Sequence, residues 1–206
     1  MDKIDFKRDL RHLYQPPAGQ FTLIEVPVMQ FLMLDGHGDP NSAPAYQEAV
    51  EALYAVAYKL KFASKQQLGR DYAVMPLEGL WWAEDMASFT ARRDKSQWDW
   101  TMMIMQPEWV TEEMFGEATA VVAKQKALPA LANLRLEPYH EGRSVQIMHI
   151  GSYEDEAPIL HKLHHEFMPA NQLAFNGRHH EIYLSDPRRV APEKLKTVLR
   201  QPVYPV

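Results

Sequence analysis

The chain of 206 residues contains no cysteine. Disulfides, thiolate nucleophiles and cysteine-ligated metals are therefore excluded, and such a chain suits a reducing compartment. Long apolar runs are also missing. No stretch approaches the roughly 20 residues needed to span a bilayer, and MDKIDFKRDLRHLY at the start is too charged for a signal-peptide core. A cytoplasmic location is the expectation. Positive charge is sparse and scattered. With a net charge of −5, and with ARRDK at 91–95 and Arg188–Arg189 too short for a phosphate track, neither nucleic acid nor a membrane is an expected partner. The common catalytic signatures are absent too: no GxGxxG, no Walker pattern, no GxSxG and no His-Glu-x-x-His. DGHGDP at 35–40 reads as a loop, with His37 at the lip of a pocket. His161, His164 and His165 share a helix face, as zinc ligands can, but HKLHHE equally suits a polar helix surface. No metal and no organic cofactor is expected.

What is present is a globular composition, 46% hydrophobic and 24% charged. Five Trp, nine Tyr, eight Phe and eleven Met can fill a core, and the same groups line sites for flat organic molecules. Their placement has to decide between the two.

The main organisational signal is an internal repeat. FLMLDGHGDPNSAPAYQEAVEALY (31–54) resembles VQIMHIGSYEDEAPILHKLHHEFM (145–168) at a constant offset of 114. Each copy has an apolar strand, a polar loop with glycine, and a shared Ala-Pro, Ala43-Pro44 and Ala157-Pro158. Proline suits the first turn of a helix, with Asn41 or Ser42 as a cap for the first helix and Asp155 for the second. The stripe Tyr46, Ala49, Val50, Leu53, Val56, Ala57 and Leu60 has a helical period, as do Leu160, Leu163 and Phe167. Strands follow at 72–82 and 98–106 in the first copy, and at 179–185 and 197–203 in the second. A further strand precedes each copy: FTLIEV ahead of Pro27, and NLRLEPY ahead of a turn at 140–143. Residues 111–126 read as a connector helix across the sheet.

The expectation is α+β: two tandem β-α-β-β modules with pseudo-twofold symmetry, an antiparallel sheet and helices on one face. The first module spans about 21–106 and the second about 131–203, within a single domain of 1–206. A groove where they meet is the expected binding site.

In each copy the first strand after the helix carries a lone glutamate, Glu78 in MPLEGLWW and Glu181 in HHEIYLS. Strand propensity disfavours both. Facing water they are dull. Facing a pocket, such a carboxylate pairs with a cation, or has its pKa raised and serves as acid or base. Tyr183 shares the Glu181 face at i+2 and adds a phenol, a donor with an ordinary pKa of about 10. Trp81 and Trp82 point to opposite faces. Parity puts Trp82 with Glu78 unless Gly79 hosts a bulge. Trp109, where a strand hands over to a helix, is a pocket wall or a hydrophobic staple.

Taken together, VPVMQFLMLDGHGDPN, MPLEGLWW, QPEWVT, VQIMHIGSYEDE and HHEIYLSDPRRVAPEKLKTVLRQPV resemble the GyrI-like small-molecule-binding family, from about Phe21 to Val203. More narrowly they resemble its stand-alone branch of cyclopropanoid cyclopropyl hydrolases. The resemblance implies tandem SHS2-type modules and a cleft for flat, hydrophobic or cationic molecules. It implies that Glu181 reaches the ligand and that Glu181 and Tyr183 are catalytic, with Trp81 and Trp109 as aromatic walls. Glu78, Trp82, His37 and Tyr153 complete the expected ligand-binding set. The implied reaction opens the strained cyclopropane of DNA-alkylating compounds. Glu181 would activate water and Tyr183 would assist at the carbonyl oxygen. Residues 1–20 are too few for the DNA-binding helix-turn-helix of regulatory relatives. The alternatives are non-catalytic sequestration of hydrophobic or cationic drugs, with cation–π contacts of about 0.5–2 kcal/mol, and a gyrase-inhibitor-like interaction protein.

Overall fold

A computed structural model describes residues 3–84 and 94–206, so part of the ARRDK stretch and of the loop at 83–97 lies outside the described residues. The elements run α1 (Phe6–Asp9), α2 (Arg11–Tyr14), β1 (Thr22–His37), α3 (Pro44–Leu68), β2 (Leu77–Trp82), β3 (Asp99–Gln106), α4 (Glu112–Gln125) and β4 (Arg135–Ile150). A helical run follows: α5 (Ala157–Lys162), a π-turn (Leu163–Phe167) and α6 (Met168–Ala170). The chain ends with β5 (Leu173–Phe175), β6 (His179–Tyr183) and β7 (Lys196–Pro205). The fold is mixed α/β, and β1–β3, β2–β3, β4–β7, β5–β7 and β6–β7 all pair antiparallel.

Contacts divide the chain into two compact units, Met1–Asp9 with Met29–Tyr139, and Leu10–Val28 with His140–Val206. In the first, β3 is central and pairs with β1 and β2. Its residues Thr101–Gln106 are all buried, as a strand covered on both faces requires. Helix α3 packs on β3, and its face of Ala49, Leu53, Val56, Ala57 and Leu60 is buried as the 3.6 period predicts. Helix α4 packs on α3. Thr111 caps it by accepting from the Met114 N–H at 3.2 Å.

In the second unit β7 is central and pairs with β4, β6 and β5. Val145 and Val203 pack with Leu163 and Met168 of the helical run and with Leu173. Both units thus place the last strand between the first and the middle one. Their cross-strand rows correspond as well. Met33, Met103 and Glu78 stand side by side in one unit. Ile147, Leu199 and Glu181 do so in the other. Met33 and Ile147 are separated by the repeat offset, so the two glutamates occupy matching places.

Four local expectations change. FTLIEV is not a separate strand: β1 runs unbroken through Pro27, which is exposed and needs no ladder partner for its missing N–H. The turn at 140–143 is absent because β4 continues through it. Gly142 takes a left-handed φ of 72°, a kink that glycine adopts without steric cost. Neither Asn41 nor Ser42 caps α3. Asp39 Oδ1 accepts from the Asn41 N–H and side-chain amide, both at 2.9 Å, which leaves Ala43 at the cap. Asp155 instead accepts from the Ser152 hydroxyl at 2.7 Å, at the head of a 3-10 turn, Tyr153–Glu156.

Candidate active site on strand β6

Period-2 alternation places His179, Glu181 and Tyr183 on one face of β6, and His180 and Ile182 on the other. The first face holds the candidate site. The Glu181 side chain is only 13% exposed. Its Oε2 accepts from the Tyr183 hydroxyl at 2.7 Å, and its Oε1 lies 3.2 Å from His179 Nε2. Burial pushes the Glu181 pKa up. The hydrogen bond and charge of His179, the Tyr183 hydroxyl and the charge of His180 outweigh burial and hold it below the ordinary 4.5. At neutral pH Glu181 is therefore a carboxylate, able to accept a proton or attract a cation but not to serve as the acid.

Tyr153, from the turn after β4, meets the Tyr183 ring edge-on at 5.7 Å and 81°. Burial, then the charges of Glu156, Glu181 and Asp186, push its hydroxyl up to about 12. Asp186 is held down to about 2, chiefly by Arg188. His164 is pushed down to about 4 by burial and by the neighbouring imidazoles, His179 first. It is neutral at pH 7. Among the described residues no group of three or more His, Asp or Glu is arranged to hold a metal.

The opposite face of the same strand carries a closed charge network. Gln146, Arg200 and His180 form one cross-strand row. Arg200 Nη1 donates to Glu141 Oε2 at 2.9 Å, and His180 Nδ1 sits 2.8 Å from Oε1. Arg200 also donates to Gln146 Oε1 and to the Leu13 carbonyl, and the Gln146 amide donates to the His12 carbonyl. The Glu141 and Arg200 side chains are 2% and 1% exposed. Burial raises the Glu141 pKa, but His180 and Arg200 more than reverse this and bring it to about 2.

In the other unit Glu78 is fully buried. The β2–β3 register is regular, so Gly79 hosts no bulge, and Glu78, Leu80 and Trp82 share a face. Trp81 points the other way. It stacks on Tyr46 of α3 at 6.3 Å and meets Trp98 at 5.8 Å. Trp109 seals the end of α3. Its indole N–H donates to Ser64 Oγ at 3.0 Å, while Ser64 caps the Arg70 carbonyl. Phe6, Tyr72 and the Arg70 guanidinium pack around that ring. His37 is 60% exposed and bonds Asp99 at 2.8 Å. The structure thus brings Glu181, Tyr183 and Tyr153 together, and places Trp82 on the Glu78 face. Trp81, Trp109 and His37 have separate local partners.

Sequence reasoning passed over His179, Glu141 and Arg200. His179 was legible, since it stands two residues before Glu181 on the same face. Arg200 breaks strand propensity in TVLRQPV as Glu181 does in HHEIYLS. Only the partner, 59 residues away in sequence, was hidden.

Residues 19–203 match the GyrI-like small molecule binding domain. The chain belongs to that family. Solved structures similar to this GyrI-like chain include an uncharacterized conserved protein from Listeria innocua. It has a TM-score of 0.90 and 40% identity, covering 98% of this chain and 100% of that one. Another is a hydrolase encoded by lin2189 from Listeria innocua, with a TM-score of 0.87, 40% identity and the same coverage. The C-terminal domain of EcmrR is similar at a TM-score of 0.55 and 12% identity, over 91% of this chain and 98% of that one. At that identity the fold alone is shared. No curated protein matches significantly. Among the described residues no helix is long and apolar enough to cross a membrane.

Proposed function

We propose that this GyrI-like chain binds flat, electrophilic small molecules at the Glu181–Tyr183 face of β6 and hydrolyses them, opening the cyclopropane of cyclopropanoid DNA-alkylating compounds. The observation that carries this reading is an ionised, largely buried carboxylate 2.7 Å from a phenol, in a chain 40% identical to a protein described as a hydrolase. The matching cross-strand rows support reading the units as tandem β-α-β-β modules, with Glu78 the counterpart of Glu181.

The substrate is a spirocyclopropane joined to a dienone. Water forms a C–O bond to the ring methylene as the strained C–C bond breaks. The released electron pair passes into the dienone and generates a phenolate. Glu181 takes a proton from the attacking water. In the resting site the single Tyr183 proton is committed to Glu181. Once Glu181 is protonated that bond weakens, and rotation about the phenolic C–O bond turns the proton toward the developing oxyanion. Tyr183 then passes its proton to the product phenolate and takes the one held by Glu181, so one water is added overall and Glu181 is a carboxylate again. The result is removal of a DNA-alkylating electrophile.

The test is incubation with a spirocyclopropyl dienone and mass spectrometry for the gain of one water. Glu181→Gln is expected to lower turnover about 10²–10⁴-fold while the fold persists. Tight binding without any water adduct in the wild type would sink the hydrolytic reading. A second reading, sequestration of a cationic aromatic ligand, is favoured by one observation. The Tyr153–Tyr183 pair lies in the field of Glu156, Glu181 and Asp186.

A further inference from the structure

We propose that His179 is a positioning residue of the Glu181 site, its Nε2–H holding carboxylate Oε1 so that Glu181 is clamped between an imidazole and a phenol. The inference rests on the reading of Glu181 as the reactive carboxylate, and it assigns a role that neither the family nor the relatives supply.

Three observations carry it. First, His179 and Tyr183 flank Glu181 at i−2 and i+2 on one face of β6, and each takes a different oxygen, at 3.2 and 2.7 Å. A carboxylate held through both oxygens cannot rotate, and one lone pair on each remains for a ligand or a water. Second, the His179 side chain is 7% exposed and its partner 13%, so water competes weakly for the bond. Third, a bare imidazole nitrogen facing a carboxylate would be repelled by it, so the geometry requires the Nε2–H form. The direction of the Glu181 pKa agrees, with His179 providing the largest lowering influence.

The surrounding charges define what the clamp acts against. Glu181 and Tyr183 share its strand, and His180 acts on Glu181 from the strand's other face. His164 faces His179 from the π-turn. Tyr153 comes from the turn after β4, where Glu156 and Asp186 add negative charge. Burial pushes the Glu181 proton affinity up, and the His179 donor opposes it.

Two conservative variants separate positioning from packing. In His179→Gln the terminal amide reaches where Nε2 was and keeps an N–H. In His179→Asn the amide falls short. The first measurement is the Glu181 carboxylate titration in ligand-free protein, by ¹³C NMR of labelled glutamate assigned with Glu181→Gln. The midpoint is expected to rise by about one unit in the Asn variant, and to stay nearer the wild-type value in the Gln variant. The acid limb of kcat/KM on a spirocyclopropyl dienone is expected to move in parallel. The second measurement needs no variant: long-range ¹H–¹⁵N spectra of the wild type are expected to show His179 protonated on Nε2. An unshifted midpoint in His179→Asn, or a neutral ring bare at Nε2, overturns the proposal. Because the titration and the tautomer are read without substrate, failure of turnover in the wild type would sink the hydrolytic function and is distinguishable from either result.

Discussion

Strand β6 serves two carboxylates, one on each face, and they have been put to different uses. His180 reaches Glu141 on one side, and His179 reaches Glu181 on the other. Glu141 also has the Arg200 guanidinium and is sealed, with 2% of its side chain exposed. Glu181 is bonded by an imidazole and a phenol and is 13% exposed. Both pKa values are depressed although burial alone would raise them. The difference lies in what is left over. A carboxylate bonded to a guanidinium has its charge answered inside the protein, where the pair ties elements together. A carboxylate held by a phenol and an imidazole is oriented and ionised, with charge to offer a ligand.

That contrast can be broken most strongly at Arg200. Arg200→Met leaves Glu141 as an uncompensated buried charge and removes the donor to the Leu13 carbonyl. The expected loss is about 3–5 kcal/mol of stability in urea unfolding, with turnover per folded molecule kept. A loss below about 1 kcal/mol would show that the network does not tie these elements together. Next in size, Tyr183→Phe removes the phenolic donor from Glu181 and from the developing oxyanion. Turnover should fall about 100-fold or more, and the Glu181 titration midpoint should rise. A phenylalanine variant with normal kinetics would put the chemistry elsewhere.

Acidification sharpens the comparison further. His164 has a folded pKa of about 4 against 6.5, and Glu141 about 2 against 4.5. Both are depressed, so the unfolded chain binds protons first, and stability falls as pH falls. The His164 contribution is intact above pH 6.5 and lost toward 4. The Glu141 contribution is intact above 4.5 and lost toward 2. For partly buried His164 the loss is on the order of 2 kcal/mol, discounted for solvent screening. In His164→Phe the slope between pH 6.5 and 4.5 should vanish while the lower one stays, as read from unfolding midpoints across pH. The smallest effect belongs to His37→Ala. Its pair with Asp99 is exposed, so stability and turnover should both be unchanged within error. A clear loss of ligand binding in a titration would place His37 at the site.

Much of this was legible in the chain. The Ala-Pro dipeptides marked real helix starts, since proline at the first turn has no N–H to satisfy there. The repeat offset located two strands whose cross-strand rows correspond. Glu181 and Tyr183 shared a face because strand periodicity is local. Less legible were the lengths of β1 and β4. Pro27 and the Gly142 segment look like breaks until an exposed position and a left-handed φ make them tolerable. Trp109 read as a pocket wall or as a hydrophobic staple. Its hydrogen bond to Ser64 ties it to the end of α3.

Sequence alone determined that two strands carry a carboxylate where strands disfavour one, and that a histidine and a tyrosine stand beside the second of them, because alternation depends on neighbours two positions apart. Only tertiary structure decided how deeply each is buried and which distant groups meet the carboxylate behind them. Burial and hydrogen bonding push a carboxylate's proton affinity in opposite directions, and for Glu141 the balance depends on Arg200 and His180, which folding brings from distant parts of the chain.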